Sequence, residues 1–217
     1  MTSGLDPDRN LALSYVPAAR RAALASLWSL DAALGAVLAG GREPMISRIK
    51  LAWWREALER LDRERAPAEP VLQALAGHVL PAGLTGAGLA PMTEGWDALL
   101  SPEPLTEEEL SLYARARGGH LFRHSARLLG GEAAAGTGEK WALADLARHS
   151  GNDADAEAAI AAARALPPAP RWPAKLRPLG MLAALAERDL EPGRVRWEAQ
   201  GSPGRMLRML RLRLTGN

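Results

Sequence analysis

The chain has 217 residues, long enough for one substantial core. It has no Cys, which excludes disulfides and thiolate chemistry. Its formal net charge of +2, with both signs mixed along the chain, lacks the marked basic face of a nucleic-acid binder. One Phe and two Tyr stand against abundant Ala, Leu and Arg, a balance that favours helices over strands.

The opening "MTSGLDPDRN" has no basic region followed by an apolar run, so no signal peptide is expected. No apolar run approaches the roughly 20 residues that span a bilayer. Residues 1–16 read as a polar lead-in. Pro17 suits the first turn of a helix that runs through "AARRAALASLWSLDAALGAVLA" and stops at Gly40–Gly41. A second helix starts near Pro44 and reaches about Arg65. "APAEP" separates it from "VLQALAGHVL". "PAGLTGAGLAPM" is a packed turn or short helix, and "TEGWDALL" is one short helix. In "SPEPLTEEELSLYARARGGHLFRHSARLLGG", Thr106 and Glu109 have capping-box spacing, and Glu107 and Glu108 suit the positive helix end. "GTGEKWALADLARHSG" is a helix with glycine at both ends. Asn152 or Asp153 can cap the helix in "NDADAEAAIAAARALPP". "PPAPRWPAKLRPLG" is rigid and extended, the next helix ends near Glu191–Gly193, and "SPGRMLRMLRLRLTG" is the last. The pattern predicts one all-α domain over residues 1–217, closed by a basic amphipathic helix within 194–217.

Two neighbouring helices each carry a charge on the face that should be buried. On the first, Leu24, Leu27, Trp28, Leu34 and Leu38 share an arc, with Asp31 at its centre. On the second, Ile46, Ile49, Trp53, Ala57 and Leu61 lie with Leu51, Trp54 and Leu58 in an arc of slightly more than half the circumference. Lys50 falls inside it. A buried carboxylate is costly unless paired. Either Lys50 snorkels to water along its stem, or it meets Asp31 in a central cavity, and the second is the expectation carried forward.

Other groupings are less specific. His120 and His124 have metal-ligand spacing on a helix side shared with Tyr113 and Arg117, but a solvated face has the same pattern. Gly118–Gly119 costs helix stability, so another backbone or a ligand should come close there. In the last helix Arg205, Arg208 and Arg211 gather on one side, with Arg194 and Arg196 nearby. That face suits an anionic membrane or partner surface, or simply solvent above a docked apolar face.

"EPMISRIKLAWWREAL" resembles the segment of the squalene/phytoene synthase family that reads as a basic residue, Leu, any residue, Trp-Trp-Arg. "RRAALASLWSLDAAL" resembles the preceding helix of that family, the run from "EGWDALL" to "RHSARLLG" its middle segment, and "GEKWALADLARHSG" the start of the next helix. The likeness covers about residues 15 to 150. It implies an isoprenoid-synthase bundle around an apolar cavity, walled here by Trp28, Asp31, Lys50, Trp53, Tyr113, Gly118, Gly119, Phe122 and Asp145.

Active family members condense two isoprenoid diphosphates using Mg²⁺, held by aspartate-rich motifs on two facing helices. The expected positions here offer one aspartate each, Asp31 and Asp145, as candidate catalytic residues. The resemblance therefore implies a degenerate member without a metal cofactor, acting as a lipid-binding or assembly factor. Relatives of that kind include mitochondrial proteins that help assemble respiratory complex I. The corresponding partners are an isoprenoid or lipid ligand and a membrane-surface or respiratory-complex protein, in the cytoplasm or peripheral at the inner membrane. The alternative is an active prenyltransferase that uses Mg²⁺.

Overall fold

Side-chain caps written into the sequence start half of the α-helices among the described residues. The computed structural model describes residues 4–40, 43–193 and 197–217, and among these the fold is helical with no strand. α1 (Pro7–Ser14) begins where the Asp6 carboxylate accepts from the Arg9 N–H and Pro7 occupies the first turn. This corrects the polar lead-in expected over residues 1–16. The helix is too short to display a 3.6-residue pattern, yet Arg9, Ala12 and Leu13 are buried.

α2 (Ala18–Ala39) and α3 (Pro44–Arg60) follow, α3 stopping short of Arg65. α4 (Pro70–Ala74) runs on into a π turn at Leu75–Val79. α5 (Gly86–Leu89) is capped by Thr85 and leads to α6 (Met92–Ala98). α7 (Glu107–Tyr113) opens on the Thr106–Glu109 capping box, continues as a π segment over Ala114–Gly119, and passes into α8 (His120–Leu128). α9 (Thr137–His149) and α10 (Asp153–Ala165) are joined by a turn in which Asn152 caps α10. After the extended proline-rich stretch come a short 3₁₀ turn (Ala174–Leu176), α11 (Arg177–Asp189) and α12 (Pro203–Thr215), the last capped by Ser202. Arg194 and Arg196 lie outside the described residues.

α9 is the axis of the bundle. It packs against α10, the π segment, α8 and α11, while α2 packs against α3, α4 and α8. α12 covers α11, and α1 closes against both. By length and composition α2 could cross a membrane, since it has 22 residues and a mean hydropathy of 1.6, so one run does reach the length thought absent. Half of that window is buried inside the protein, and it carries the fully buried Asp31, as in a core helix.

The glycine pair has a structural answer. A Cβ on Gly118 would stand 2.1 Å from the Gly138 carbonyl oxygen, so the π segment and α9 cross backbone to backbone. What comes close at Gly118 is another chain segment.

The adjacent tryptophans split between core and solvent. α3 buries Ser47, Leu51, Trp54, Ala57 and Leu58. Trp53 is 46% exposed, edge-on to Trp54 with ring centroids 5.4 Å apart. Lys50 is exposed beside Met45, Ile46 and Ile49, which are exposed as well. The expected Lys50–Asp31 contact is therefore absent. Ala57 and Leu61, which flank Lys50 on the wheel, are buried, so the difference lies along the axis: the first turns of α3 stand uncovered on this side at Ile46, Ile49 and Lys50, and only the later turns are packed there.

α12 is also turned from its expected orientation. Arg205 is buried with Met209 and Leu212, whereas Leu207 and Leu214 face solvent. Arg205 faces inward because two acids wait there. Its Nε donates to Asp8 Oδ2 at 2.8 Å, and its Nη1 donates to both Asp189 oxygens at 2.7 and 2.8 Å.

Candidate functional site

An open cleft of about 640 Å³ lies between α1, α2, the segment after α6, α7 with its π segment, and the end of α9. Leu38, Trp96, Leu99, Leu105 and Leu146 supply apolar wall. Its polar part is built by α2, which carries Asp31, by the π segment, which carries Arg117, and by α9, which carries Asp145 and His149.

Arg117 bridges the two aspartates. Its Nε donates to Asp31 Oδ1 at 2.9 Å and its Nη2 to Asp31 Oδ2 at 3.1 Å, a bidentate pair. Its Nη1 donates to Asp145 Oδ2 at 2.6 Å and also to the Tyr113 hydroxyl. Arg9 adds a second guanidinium, with Nη2 2.7 Å from Asp31 Oδ2. The Asp31 side chain is fully buried, the Arg117 side chain is 3% exposed, and the Asp145 side chain is 21% exposed.

Aromatic rings enclose the cations. The Arg117 guanidinium lies 4.2 Å from the Trp96 ring centroid and 4.8 Å from that of Trp141, and Arg9 lies 5.0 Å from Trp141. Ring faces carry negative charge density, so they favour the cations where water is missing.

The electrostatics follow from this packing. Burial alone would raise the Asp31 pKa, but the charges of Arg117 and Arg9 outweigh it and hold the carboxyl below its usual range. Burial, Arg117 and the His149 contact act likewise on Asp145, with the same net lowering. Burial pushes the Tyr113 hydroxyl up, so it stays protonated. His149, whose Nδ1 donates to the Asp145 carbonyl at 2.8 Å, has a raised pKa through the Asp145 side chain.

Of the expected cavity residues, Asp31, Tyr113 and Asp145 line the cleft. The others do not. Trp28 is buried with its Nε1 donating to Ser125 Oγ at 3.0 Å, which ties α2 to α8. Phe122 stacks against Trp141 in the core. Gly118 and Gly119 pack against α9, and Lys50 and Trp53 on α3 are exposed outside the cleft. Arg9, Trp96 and Arg117, which do line it, were not in the expected set. Arg117 stands four residues after Tyr113, one helical turn on, and that spacing was the available signal.

The expected arginine surface of α12 also divides, since Arg205 is buried, Arg208 is half-buried and Arg211 is exposed.

His120 and His124 do not assemble a metal centre. Among the described residues no group of three His, Cys, Asp or Glu side chains could hold a metal ion. His124 Nε2 lies 3.0 Å from the Gly88 carbonyl, and burial, with His120 and nearby Arg123 and Arg127, pushes its pKa down to about 4. The folded value is thus below the unfolded 6.5, so the stability tied to neutral His124 is present above 6.5 and lost as pH falls toward 4. His149 acts in the opposite sense, its contribution present below 6.5 and lost as pH rises through its raised value. Thermal melts across this range should show a smaller drop on acidification for His124→Gln than for the unsubstituted protein. An identical drop in both would assign the pH response elsewhere.

A family model described as squalene/phytoene synthase matches residues 3–166 of the chain. No curated protein and no solved structure matches it significantly.

Proposed function

The chain belongs to the squalene/phytoene synthase family, and from that membership we propose that it is a non-catalytic member whose cleft binds an isoprenoid or other lipid chain. The observation that carries this reading is the Arg117 guanidinium seated between Asp31 and Asp145.

The chemistry of the family needs Mg²⁺, a hard ion that binds carboxylate oxygens and substrate phosphates together and so neutralises the leaving diphosphate. The donors present here do not fit that ion. Both oxygens of Asp31 already accept charge-assisted hydrogen bonds, and Asp145 Oδ2 accepts a third such bond from Arg117. Seating a metal would require expelling two buried guanidiniums from between aromatic rings. The arginines are equally unsuited to clamp a diphosphate, because their charge is already matched by the aspartates.

What the cleft retains is volume and apolar wall. About 640 Å³ lined by leucines and Trp96 suits a hydrocarbon chain. Tyr113 and the Asp31–Arg117–Asp145 ion pairs make one end of it polar, and Glu103 and Asp155 add carboxylates to the lining.

Two measurements on the purified full chain test the reading. With Mg²⁺ and farnesyl or geranylgeranyl diphosphate, no diphosphate release above buffer is expected. Native mass spectrometry should find a lipid or isoprenoid held by the unsubstituted protein and lost on Leu99→Asp, which puts a charge in the apolar wall. Turnover that disappears in Asp31→Ala and Asp145→Ala would overturn the non-catalytic reading in favour of an active prenyltransferase.

A further inference from the structure

The outer side of α12 combines exposed hydrocarbon with uncompensated positive charge. Leu207 and Leu214 are 70% and 78% exposed, and Met206 and Tyr15 are also exposed. Leu207, Arg211 and Leu214 follow at helical spacing on this side, opposite the buried Arg205, Met209 and Leu212. Arg208, Arg211 and Arg213 belong to the same helix, and none makes an ion pair among the described residues.

The surface continues onto neighbouring elements. The Arg213 guanidinium lies 5.5 Å from the Tyr15 ring centroid, which joins α12 to the corner between α1 and α2. There Arg21 donates to the Ser14 and Val16 carbonyls at 3.3 and 2.8 Å, on either side of Tyr15, and Arg20 reaches the Leu128 carbonyl at 3.2 Å. At the end of α12, Arg171 and Arg177 donate to the carbonyls of Thr215 and Arg213 at 3.4 and 2.9 Å. These four arginines also make no ion pair among the described residues.

Part of this arrangement is ordinary capping, since the accepting carbonyls lie at the ends of α1, α8 and α12. Each helix end carries roughly half a negative charge, so three ends offset only about 1.5 units of seven cations. Elsewhere Arg55 is matched by Glu59 and Glu94 and Arg60 by Glu56 and Glu64, whereas the exposed Arg63, Arg65, Arg115, Arg123 and Arg127 make no ion pair among the described residues.

The complement of cations interleaved with bare leucines is a sheet of anions with hydrocarbon just beneath it. We propose that the α12 face and the adjoining α1–α2 corner dock on an anionic lipid bilayer. Leu207 and Leu214 enter the boundary between headgroups and acyl chains, and the surrounding arginines face lipid phosphates. The proposal does not depend on what the cleft binds. A nucleic acid would use the arginines but leave the leucines in water.

Co-sedimentation of the full chain with phosphatidylcholine vesicles, with and without phosphatidylglycerol, tests this. Binding is expected only to the anionic vesicles and should weaken at high salt. Leu207→Ser with Leu214→Ser, and separately Arg171→Glu with Arg211→Glu, should each lower the partition coefficient by roughly tenfold or more. All four side chains are exposed, so the melting curve should be unchanged for the leucine pair and lowered only slightly for the arginine pair, where Arg171 gives up its bond to the Thr215 carbonyl. No binding to anionic vesicles overturns the proposal, as does binding that the leucine pair leaves unchanged. Equal affinity for a DNA duplex, insensitive to the leucine pair, would show plain charge attraction and overturn it too.

Discussion

Replacing Arg117 by leucine should destabilise the protein by about 3 to 5 kcal/mol at neutral pH, the usual loss when one partner leaves a buried ion pair. The substitution strips Asp31 of a bidentate partner and leaves it only Arg9, with its own side chain fully buried. Asp145 would keep only His149. The response to pH should invert as well. In the unsubstituted protein the lowered Asp31 pKa gives a contribution that is present above 3.8 and lost as pH falls through the lowered value. Once Arg117 is gone, burial dominates and raises the carboxyl, so the deficit should shrink in acid. Urea unfolding at neutral and mildly acidic pH reads both effects. A loss below about 1 kcal/mol would mean that the cluster is solvated and that Arg117 does not hold the aspartates.

A loss of comparable size is expected for Arg205→Met, in a smaller pocket that shares Asp6, Arg9 and Asp145 with the cleft. Asp8 and Asp189 are 3% and 8% exposed, and Arg205 joins them. Asp189 would retain Arg148 at 2.8 Å, whereas Asp8 would keep only the Gly201 N–H at 2.9 Å. Methionine preserves the unbranched stem, so the deficit of about 3 to 5 kcal/mol would reflect the stranded carboxylate more than a void. For a chain of this size that corresponds to a midpoint lower by roughly 6 to 20 °C in a thermal melt. Adding Asp8→Asn should recover part of it by removing the unpaired charge. No recovery would argue that packing of the Arg205 stem sets the loss.

The helical class, the caps at Thr106 and Asn152 and the stops at glycine and proline were legible because each rests on residues within a few positions of one another. Asp31 as a buried acid was legible for the same reason, from its neighbours one turn away. Its partners were not. Arg9 and Arg117 stand 22 and 86 positions from it, and a helical wheel carries no information about what another helix brings. The wheel of α3 failed differently. A wheel projects the whole helix onto one circle, so it could not show that the side shared by Lys50, Ala57 and Leu61 is covered only in the later turns, and Lys50 was sent inward wrongly. α12 was misread because its arginines were taken as solvent-seeking, while Asp8 and Asp189 made the interior the better place for Arg205. Arg9 hid in a stretch with too few turns to show a rhythm.

The crossing at Gly118 and Gly138 leaves no side-chain cushion between α9 and the π segment. Two main chains in contact form a stiff hinge plate, and Arg117 and Asp145 are mounted on its two leaves. Widening of the cleft would therefore fall to its other walls, among them the connection between α6 and α7 that carries Leu99 and Leu105. If the cleft takes a lipid chain as proposed, the size of guest is expected to follow that connection, the polar end keeping its geometry while the apolar end yields.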